Sequence, residues 1–229
     1  MKTKILLAIL LITQGMFSQN ENNRKIGDFK VLKAYDLVNI ELIRAEENYA
    51  EVTGEHSNNI VIKNKNGELK VRMGLERRFR GANTKVKIFY NNIDKIYVHE
   101  GVFIFSKDTI AQADIYVKAD EGARVAMDLK ITDLATNTSS GATIDVRGTA
   151  EYHRAKINTG GELKASKLIT QETEVFLTTG GITDVFAVKE LNINVKAGGT
   201  VNIHSKTKKI IESKLAGGTI NYLYEEDGL

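Results

Sequence analysis

A polar turn with a central glycine recurs at nearly equal spacing through the carboxyl-terminal half of the chain. The turn glycines are Gly141, Gly160, Gly180, Gly198 and Gly217, so the repeat length stays close to 19 residues throughout. Units of this length cannot bury their apolar residues alone, so each unit has to pack on its neighbours. The period therefore predicts a stacked solenoid.

Within each unit, apolar and polar residues alternate after the glycine. The third and fifth places are mostly apolar, as in Ile144 and Val146, and the place between them is polar in every copy. A second alternating run precedes the glycine, as in Ala155 and Ile157. Alternation with period two directs one face inward and the other to solvent. Each unit is therefore predicted to hold at least two short strands that meet at a glycine corner, where a positive φ costs little.

The repeat extends upstream in a degraded form. Gly122 precedes Gly141 by one further repeat, and Gly101 precedes Gly122 by another, so seven turns can be counted. Stacked at about 4.8 Å per turn, they predict an all-β, parallel β-helix-like solenoid with turns of about 18–21 residues. The alternative is an antiparallel sandwich, in which strands recur about every 8–12 residues. The equal glycine spacing favours the solenoid. The glycines predicted to form its structural turns are Gly122, Gly141, Gly160, Gly180, Gly198 and Gly217.

The amino-terminal half shows alternating runs without the glycine period. These predicted strands include Val38–Leu42, Ala50–Thr53, Ile60–Ile62, Leu69–Met73, Val86–Tyr90 and Ile93–Val98. Asn66-Gly67 is typical of a tight turn between two of them. The closest approach to a helix is Thr207–Leu215, where β-branched residues favour a loop or a short strand instead. The sequence leaves open whether residues 27–100 belong to the same coil or form a separate cap.

The amino-terminal segment 1–18 has the pattern of an export signal. Lys2 and Lys4 precede an apolar run over residues 5–12, and small or polar residues follow at Ser18 and Gln19. This order is typical of a secretory signal peptide, and the run is too short to span a membrane. We expect a signal peptide over 1–18, a polar leader over 19–26, a single domain over 27–224 and an acidic tail over 225–229. The mature chain is then expected in the periplasm or at the cell surface, without a transmembrane anchor.

Composition narrows the classes of partner. The chain has no cysteine, which excludes disulfides and a lipid-modified amino-terminal cysteine. Its formal charge is +3, and only +1 without the predicted signal peptide, which holds two lysines and no acid. So small a charge gives no global field for capturing nucleic acid. The acidic tail, Glu225 to Asp227, is expected to discourage pairing between the open ends of two coils by repulsion.

The glycine turns and the runs Val38-Asn39-Ile40-Glu41-Leu42 and Asn66-Gly67-Glu68-Leu69-Lys70-Val71 together resemble a known family. They are similar to the head domain of auto-transporter adhesins called the head GIN domain, over roughly residues 27–222. The resemblance implies export by a Gram-negative bacterium and a right-handed β-helix-like fold. It supplies no catalytic residues and no cofactor. The chain departs from the family pattern in having Gly-Gly at four corners, where Gly-Ala is commoner.

Neither the histidines nor the polar turn places predict a metal site. His99, His153 and His204 occupy different places relative to the corner glycines, and His56 lies outside the repeat, so they are not expected to converge on one ion as zinc requires. The polar place after the glycine varies among Asp, Lys and Asn, and a lysine would repel calcium. We interpret these places as a solvated face.

Two patterns give alternatives for binding or chemistry. Asp145 and Asp184 occupy equivalent places two turns apart, about 10 Å by strand spacing, with Lys164 between them. That separation lies near the upper limit for an inverting glycosidase. A carbohydrate-active β-helix enzyme is therefore the alternative function, although turns of constant length leave no insertion to build a cleft.

The second pattern is a basic cluster formed by Arg72, Arg77, Arg78 and Arg80. Arg77, Arg78 and Arg80 are candidates for contact with an anionic glycan or phosphate through bidentate hydrogen bonds. A solvated loop without a ligand is the simpler interpretation. Phe103 and Phe105 lie at alternate positions, so one face of that strand is expected in the core.

Taken together, these patterns predict an exported, non-enzymatic β-solenoid that serves as an adhesin-like or envelope-associated binding or structural protein. Its partner is not specified by the sequence; a cell-surface glycan or an envelope protein is the expected class.

Overall fold

The computed structural model describes residues 23–224. The predicted signal peptide and the acidic tail, residues 225–229, lie outside this range. The described part forms a β-solenoid of about seven turns, with two short 3-10 helices at Ser57–Asn59 and Leu75–Arg77. The first nine strands are β1 (Asn23–Lys25), β2 (Val31–Ala34), β3 (Asn39–Arg44), β4 (Tyr49–Gly54), β5 (Ile60–Lys65), β6 (Glu68–Met73), β7 (Thr84–Tyr90), β8 (Lys95–Val98) and β9 (Phe103–Ser106). The later strands are β10 (Ile110–Ala119), β11 (Arg124–Thr138), β12 (Thr143–Ile157), β13 (Glu162–Leu177), β14 (Ile182–Ala197), β15 (Thr200–Ile203), β16 (Lys209–Ala216) and β17 (Thr219–Tyr222).

Successive turns pair in parallel, which excludes the antiparallel sandwich. β11, β12, β13 and β14 each run through most of a turn, and each pairs in parallel with the next. The sequence predicted two short strands per turn, whereas these strands are 15 or 16 residues long. They bend without ending where two consecutive side chains point outward, as at Thr132 and Asp133 between the buried Ile131 and Leu134.

The amino-terminal strands belong to the same coil. β2 pairs in parallel with β8, and β3 pairs in parallel with β9, so they stack directly under the glycine turns. The chain does not wind in sequence order here, because β6 lies on the far side of β2 and β7 on the far side of β3. The segment Thr207–Leu215, predicted to be a loop or a short strand, contributes most of the eight-residue strand β16.

The amino-terminal end of the coil is closed by antiparallel strands. β4 pairs with β7, β1 pairs with β4, and β5 pairs with β6 through the Asn66-Gly67 turn. Both turn residues have positive φ, 54° and 79°. The described part of the predicted polar leader is therefore ordered in this cap, because β1 takes up Asn23–Lys25 and the following Ile26 is buried.

The glycine corners are tight turns in the left-handed region. At Ser140-Gly141 the φ angles are 51° and 70°, the combination found in type I′ turns. Gly122, Gly160, Gly180, Gly198 and Gly217 have φ between 62° and 71°. A Cβ on Gly141 would meet no atom within 4 Å. Glycine is therefore favoured here because it adopts a positive φ easily, and not because a larger residue would lack room.

The glycine after the corner has a different role. A Cβ on Gly161 would lie 2.7 Å from the backbone of Thr138, although φ at Gly161 is not positive. In the two preceding turns this place holds the fully buried Ala123 and Ala142. The Gly-Gly corners thus let successive turns approach more closely than an alanine permits.

Differences in length between the repeats are accommodated on one side of the coil. Asp145 pairs with Lys164, whereas Arg147, two places further along β12, pairs with Lys167, three places further along β13. β13 therefore carries an extra residue as a bulge, and the register with β14 shifts again in the same region. The core ladders on the other sides stay aligned.

Candidate functional site

A shallow groove of about 480 Å³ lies along the bend of the long strands, where two consecutive side chains point outward. Its outer edge is a ladder of equivalent residues from successive turns, each paired in register with the next. In order along the coil the ladder consists of Asp114, Asp133, Tyr152, Glu172 and Glu190. Neighbouring rungs are about 4.8 Å apart, so Asp133 and Glu172 flank Tyr152 on both sides.

The aromatic side chain of Tyr152 lies at the centre of the groove. It is 45% exposed, which is unusual for a large side chain in the middle of a sheet. The second ladder, two residues further along each strand, places Arg154 and Glu174 beside it. Arg154 Nε donates to Glu174 Oε2 at 2.9 Å.

His153 forms the floor between these two ladders. It points inward, is 3% exposed, and occupies a place that is leucine or isoleucine in four other turns. Its Nε2 shares a hydrogen bond of 2.9 Å with the Thr136 hydroxyl. Burial lowers the pKa of His153 to about 4, because the charged imidazolium would lose its hydration there. The floor is therefore neutral at physiological pH.

The rim of the groove is strongly acidic. Six carboxylates and two cationic side chains line it, and the carboxylates are Asp94, Asp114, Asp133, Glu172, Glu174 and Glu190. Asp114, Asp133 and Glu172 form no ion pair within residues 23–224. Like charges on adjacent rungs repel one another and cost stability. Carboxylate oxygens of this kind are free to accept hydrogen bonds from a ligand.

The two aspartates of the predicted enzymatic pair lie on another side of the coil. Asp145, Lys164 and Asp184 stand on successive rungs, as the register predicts. Asp145 accepts hydrogen bonds from Arg147 at 3.3 and 3.4 Å. Asp184 lies 2.7 Å from His204 Nε2 and accepts from Asn202 at 3.2 Å. Both carboxylates are thus engaged by neighbouring side chains, in a shallow depression of about 260 Å³.

The histidines lie apart, as their places in the repeat predict. His99 stacks on Tyr35, His153 is in the core, and His204 is on the Asp184 ladder. Possible ligand atoms of His99, Asp120 and Glu121 fall within 4.8 Å of one another. Both oxygens of Asp120 are already contacted there, one by His99 Nδ1 at 2.5 Å and the other by Lys118 Nζ at 3.0 Å.

One arginine of the cluster forms ion pairs within the coil, whereas its neighbours are open to solvent. Arg78 Nη2 donates to Glu100 at 3.3 Å, and its Nε lies 3.5 Å from the buried carboxylate of Asp36. Arg77 lies in the second 3-10 helix, and Arg80 is exposed after it. Arg78 therefore ties two corners of the coil together, and only its neighbours are available to an external anion.

The phenylalanines of β9 do not lie on the face that packs against the core. Val102 and Ile104 are fully buried, whereas Phe103 and Phe105 are half-buried and stack on each other at 5.3 Å. The groove itself was missed by sequence reasoning. A signal was present, because Asp114, Asp133, Tyr152 and Glu172 recur with the same period as the glycines.

Comparison with known proteins agrees with this architecture. A solved structure from Bacteroides fragilis, described as a putative adhesin, superposes with a TM-score of 0.76 at 15% identity, over 87% of this chain and 94% of that one. A putative adhesin from Parabacteroides merdae has a TM-score of 0.65 at 16% identity, over 89% and 95% of the two chains. A putative lipid binding protein from Parabacteroides distasonis has a TM-score of 0.66 at 15% identity, over 90% and 98%. At these identities the likeness establishes the fold alone. No curated protein sequence matches significantly.

The fold thus defines a β-solenoid of the kind found in these bacterial proteins. Residues 28–206 match the family described as "Putative auto-transporter adhesin, head GIN domain", and the chain belongs to that family. The resemblance predicted from the glycine turns is confirmed. Within residues 23–224, no helix is long and apolar enough to cross a membrane.

Proposed function

We propose that this protein is an exported, non-enzymatic adhesin-like binding protein, and that the groove around Tyr152 holds a hydroxyl-rich glycan chain. The observation that carries the proposal is the exposed tyrosine between rungs of unpaired carboxylates. An aromatic face packs on the apolar face of a sugar ring, and carboxylates accept hydrogen bonds from its hydroxyl groups. A concave site with an aromatic side chain and convergent polar groups is a common form of binding site.

The groove favours a neutral or amino-bearing glycan over an acidic one or an acyl chain. Its six carboxylates would repel uronate or sulfate groups, and they accept hydrogen bonds that an acyl chain cannot donate. The description of one relative as lipid binding applies to that protein; here the acidic rim supports a sugar. Because successive turns present side chains at equivalent places, a linear glycan can contact several turns at once.

The test is a glycan array followed by calorimetry with the purified mature chain. Tyr152→Ala is expected to weaken binding at least tenfold, and Tyr152→Phe is expected to keep it within about threefold because stacking remains. Ile169→Ala is the matched control, since Ile169 is 47% exposed on a neighbouring side of the coil. Absence of glycan binding, or equal binding by Tyr152→Ala and the wild type, would contradict the proposal.

A carbohydrate-active enzyme is the alternative that the same experiment separates. Release of reducing ends from a polysaccharide panel that disappears in Asp145→Ala or Asp184→Ala would establish catalysis on that ladder. Release that disappears instead in Asp133→Asn or Glu172→Gln would make the groove an active site. Binding without turnover supports the adhesin-like role.

An anionic ligand at the arginine cluster is a separate, smaller proposal. It rests on Arg77 and Arg80, because Arg78 is engaged with Asp36 and Glu100. The Arg77→Ala/Arg80→Ala variant should lose affinity for an acidic polysaccharide while the coil stays intact. Unchanged affinity would show that these residues are a solvated loop.

Export is proposed from the sequence and from membership of an adhesin family. Mass spectrometry of the protein from the cell envelope is expected to show cleavage near Ser18. Protease shaving of whole cells then distinguishes a surface location, where the domain is digested, from a periplasmic one, where it is protected. A full-length, cytosolic product would refute export.

A further inference from the structure

The two ends of the solenoid are not equivalent. The amino-terminal end is covered by the antiparallel strands β1, β4 and β5, whereas at the other end β16 pairs only with β14 among the described strands. Several exposed large hydrophobic residues of the described chain lie in this last turn: Ile211, Leu215, Tyr222 and Leu223. Leu215 is 83% exposed. An unpaired strand edge flanked by exposed apolar side chains is a template for another strand.

The hydrogen bonds to β14 show which backbone groups of β16 are free. The carbonyl of Ala216 accepts from Gly198, so the even-numbered residues of β16 face β14. Because backbone groups alternate along a strand, the amides and carbonyls of Ile211, Ser213 and Leu215 point to the open edge. An antiparallel partner has to match these three residues.

The side chains of β16 place charges where a coil normally has core residues. Glu212 pairs with the buried Ile193, and Lys214 pairs with the buried Val195, so both occupy inward places. The Tyr222 hydroxyl donates a hydrogen bond to Glu212 at the exposed end of the coil. That hydrogen bond, with a smaller effect of burial, raises the pKa of Tyr222 to about 12. The core therefore ends in a polar layer with one negative and one positive group.

The sequence of β16 is complementary to itself when it is reversed about Ser213. In that register Glu212 of one copy faces Lys214 of the other, and Ile211 faces Leu215. The free groups of Ile211, Ser213 and Leu215 would then form about six backbone hydrogen bonds. Registers centred on residue 212 or 214 instead oppose Glu212 to itself or Lys214 to itself, and like charges directly opposite are unfavourable.

From these observations we infer that two copies of the chain associate end to end, through antiparallel pairing of their β16 strands about a twofold axis at Ser213. Such an interface is isologous and closes on itself, so it yields a dimer and not a fibre. This pairing uses the open β16 edge of both copies, so it leaves none for a third copy. The two grooves would then lie on one rod, which allows two-point attachment to a glycan surface.

Charge exchange gives a decisive test. In sedimentation velocity over a micromolar concentration series, the wild type is expected to show a concentration-dependent dimer. Glu212→Lys and Lys214→Glu should each raise the dissociation constant roughly tenfold or more, because each single change sets like charges opposite at two symmetric places. The double variant E212K/K214E restores opposite charges and should dimerise again. Tyr222→Phe controls for loss of the hydrogen bond to Glu212.

A cross-link tests the register directly. The chain has no cysteine, so Ser213→Cys introduces its single thiol. In the proposed register the two Cα atoms are about 5.5 Å apart, within the range of a disulfide. Mild oxidation should convert most of Ser213→Cys to a covalent dimer, and little of the control Ser140→Cys, which is exposed at a corner of the coil. A wild type that stays monomeric, or a double variant that fails to recover, would overturn the inference.

Discussion

The buried His153 makes the stability of the coil depend on pH. Its pKa is about 4 in the folded protein and about 6.5 in the unfolded chain. Below pH 6.5 the unfolded state therefore binds a proton that the folded state rejects, and stability falls as the pH decreases. The loss amounts to about 1.4 kcal/mol per pH unit between pH 6.5 and 4, and about 2 kcal/mol between pH 7 and 5. Above pH 7 this residue contributes no pH dependence.

The matched variant replaces the polar pair by apolar residues. His153→Leu alone leaves the Thr136 hydroxyl without its partner, at a cost of about 1–3 kcal/mol. The double variant His153→Leu/Thr136→Val removes both groups, and leucine already occupies the equivalent place at Leu134 and Leu191. On acidification from pH 7 to 5, we expect this variant to lose about 2 kcal/mol less stability than the wild type, because it has no imidazole to protonate.

The measurement is urea unfolding followed by far-ultraviolet circular dichroism at both pH values. Carboxylates titrate in both proteins, so the difference between the two pH dependences isolates the histidine. If the wild type and the double variant lose equal stability, the argument from burial is wrong.

The corners and the ends of the coil give three further predictions. Gly141→Ala should cost about 1 kcal/mol through its positive φ alone, whereas Gly161→Ala should cost about 2–3 kcal/mol through contact with backbone; equal midpoints of thermal unfolding would refute this contrast. Arg78→Ala should destabilise the coil by about 1 kcal/mol because Asp36 loses its cation, and Arg80→Ala should change stability by less than about 0.5 kcal/mol in the same urea assay. Deletion of residues 225–229 should strengthen self-association in sedimentation experiments by removing the three like charges of the acidic tail, and an unchanged dissociation constant would exclude that role.

The solenoid could be predicted because its determinants are local and repeated. A glycine at each corner and an alternating run on each side are visible in every copy, and both correspond to the observed turns at Gly141 and Gly160. The amino-terminal order could not be predicted in the same way. β6 and β7 lie outside β2 and β3, and this choice of partner depends on long-range contacts that leave no mark on the spacing.

The first corner shows a second limit of the sequence. Asp36 and Leu37 have φ angles of 66° and 64° and occupy the corner below Glu100 and Gly101. No glycine marks this turn, so the glycine period in the sequence begins only at Gly101. The stacked corner above it and the contacts of Asp36 with Met73 and Arg78 hold a conformation that the residues themselves disfavour.

The groove was missed because outward places carry no packing constraint. Inward places have to be apolar, and residues such as Ile144 and Leu163 therefore reveal the core. Asp133, Tyr152 and Glu172 are as periodic as the glycines, yet their chemistry differs from turn to turn. Only the register between strands shows that they stand side by side.

The bulge in β13 shows where the coil can change its circumference. The extra residue of β13 is accommodated between Lys164 and Lys167, while the Tyr152 ladder and the glycine corners remain in line on either side of it. This side of the solenoid can therefore take up insertions that the other sides would transmit to their neighbours. A loop or a reporter peptide introduced beside Lys167 would be displayed from the middle of the rod with the core ladders unbroken.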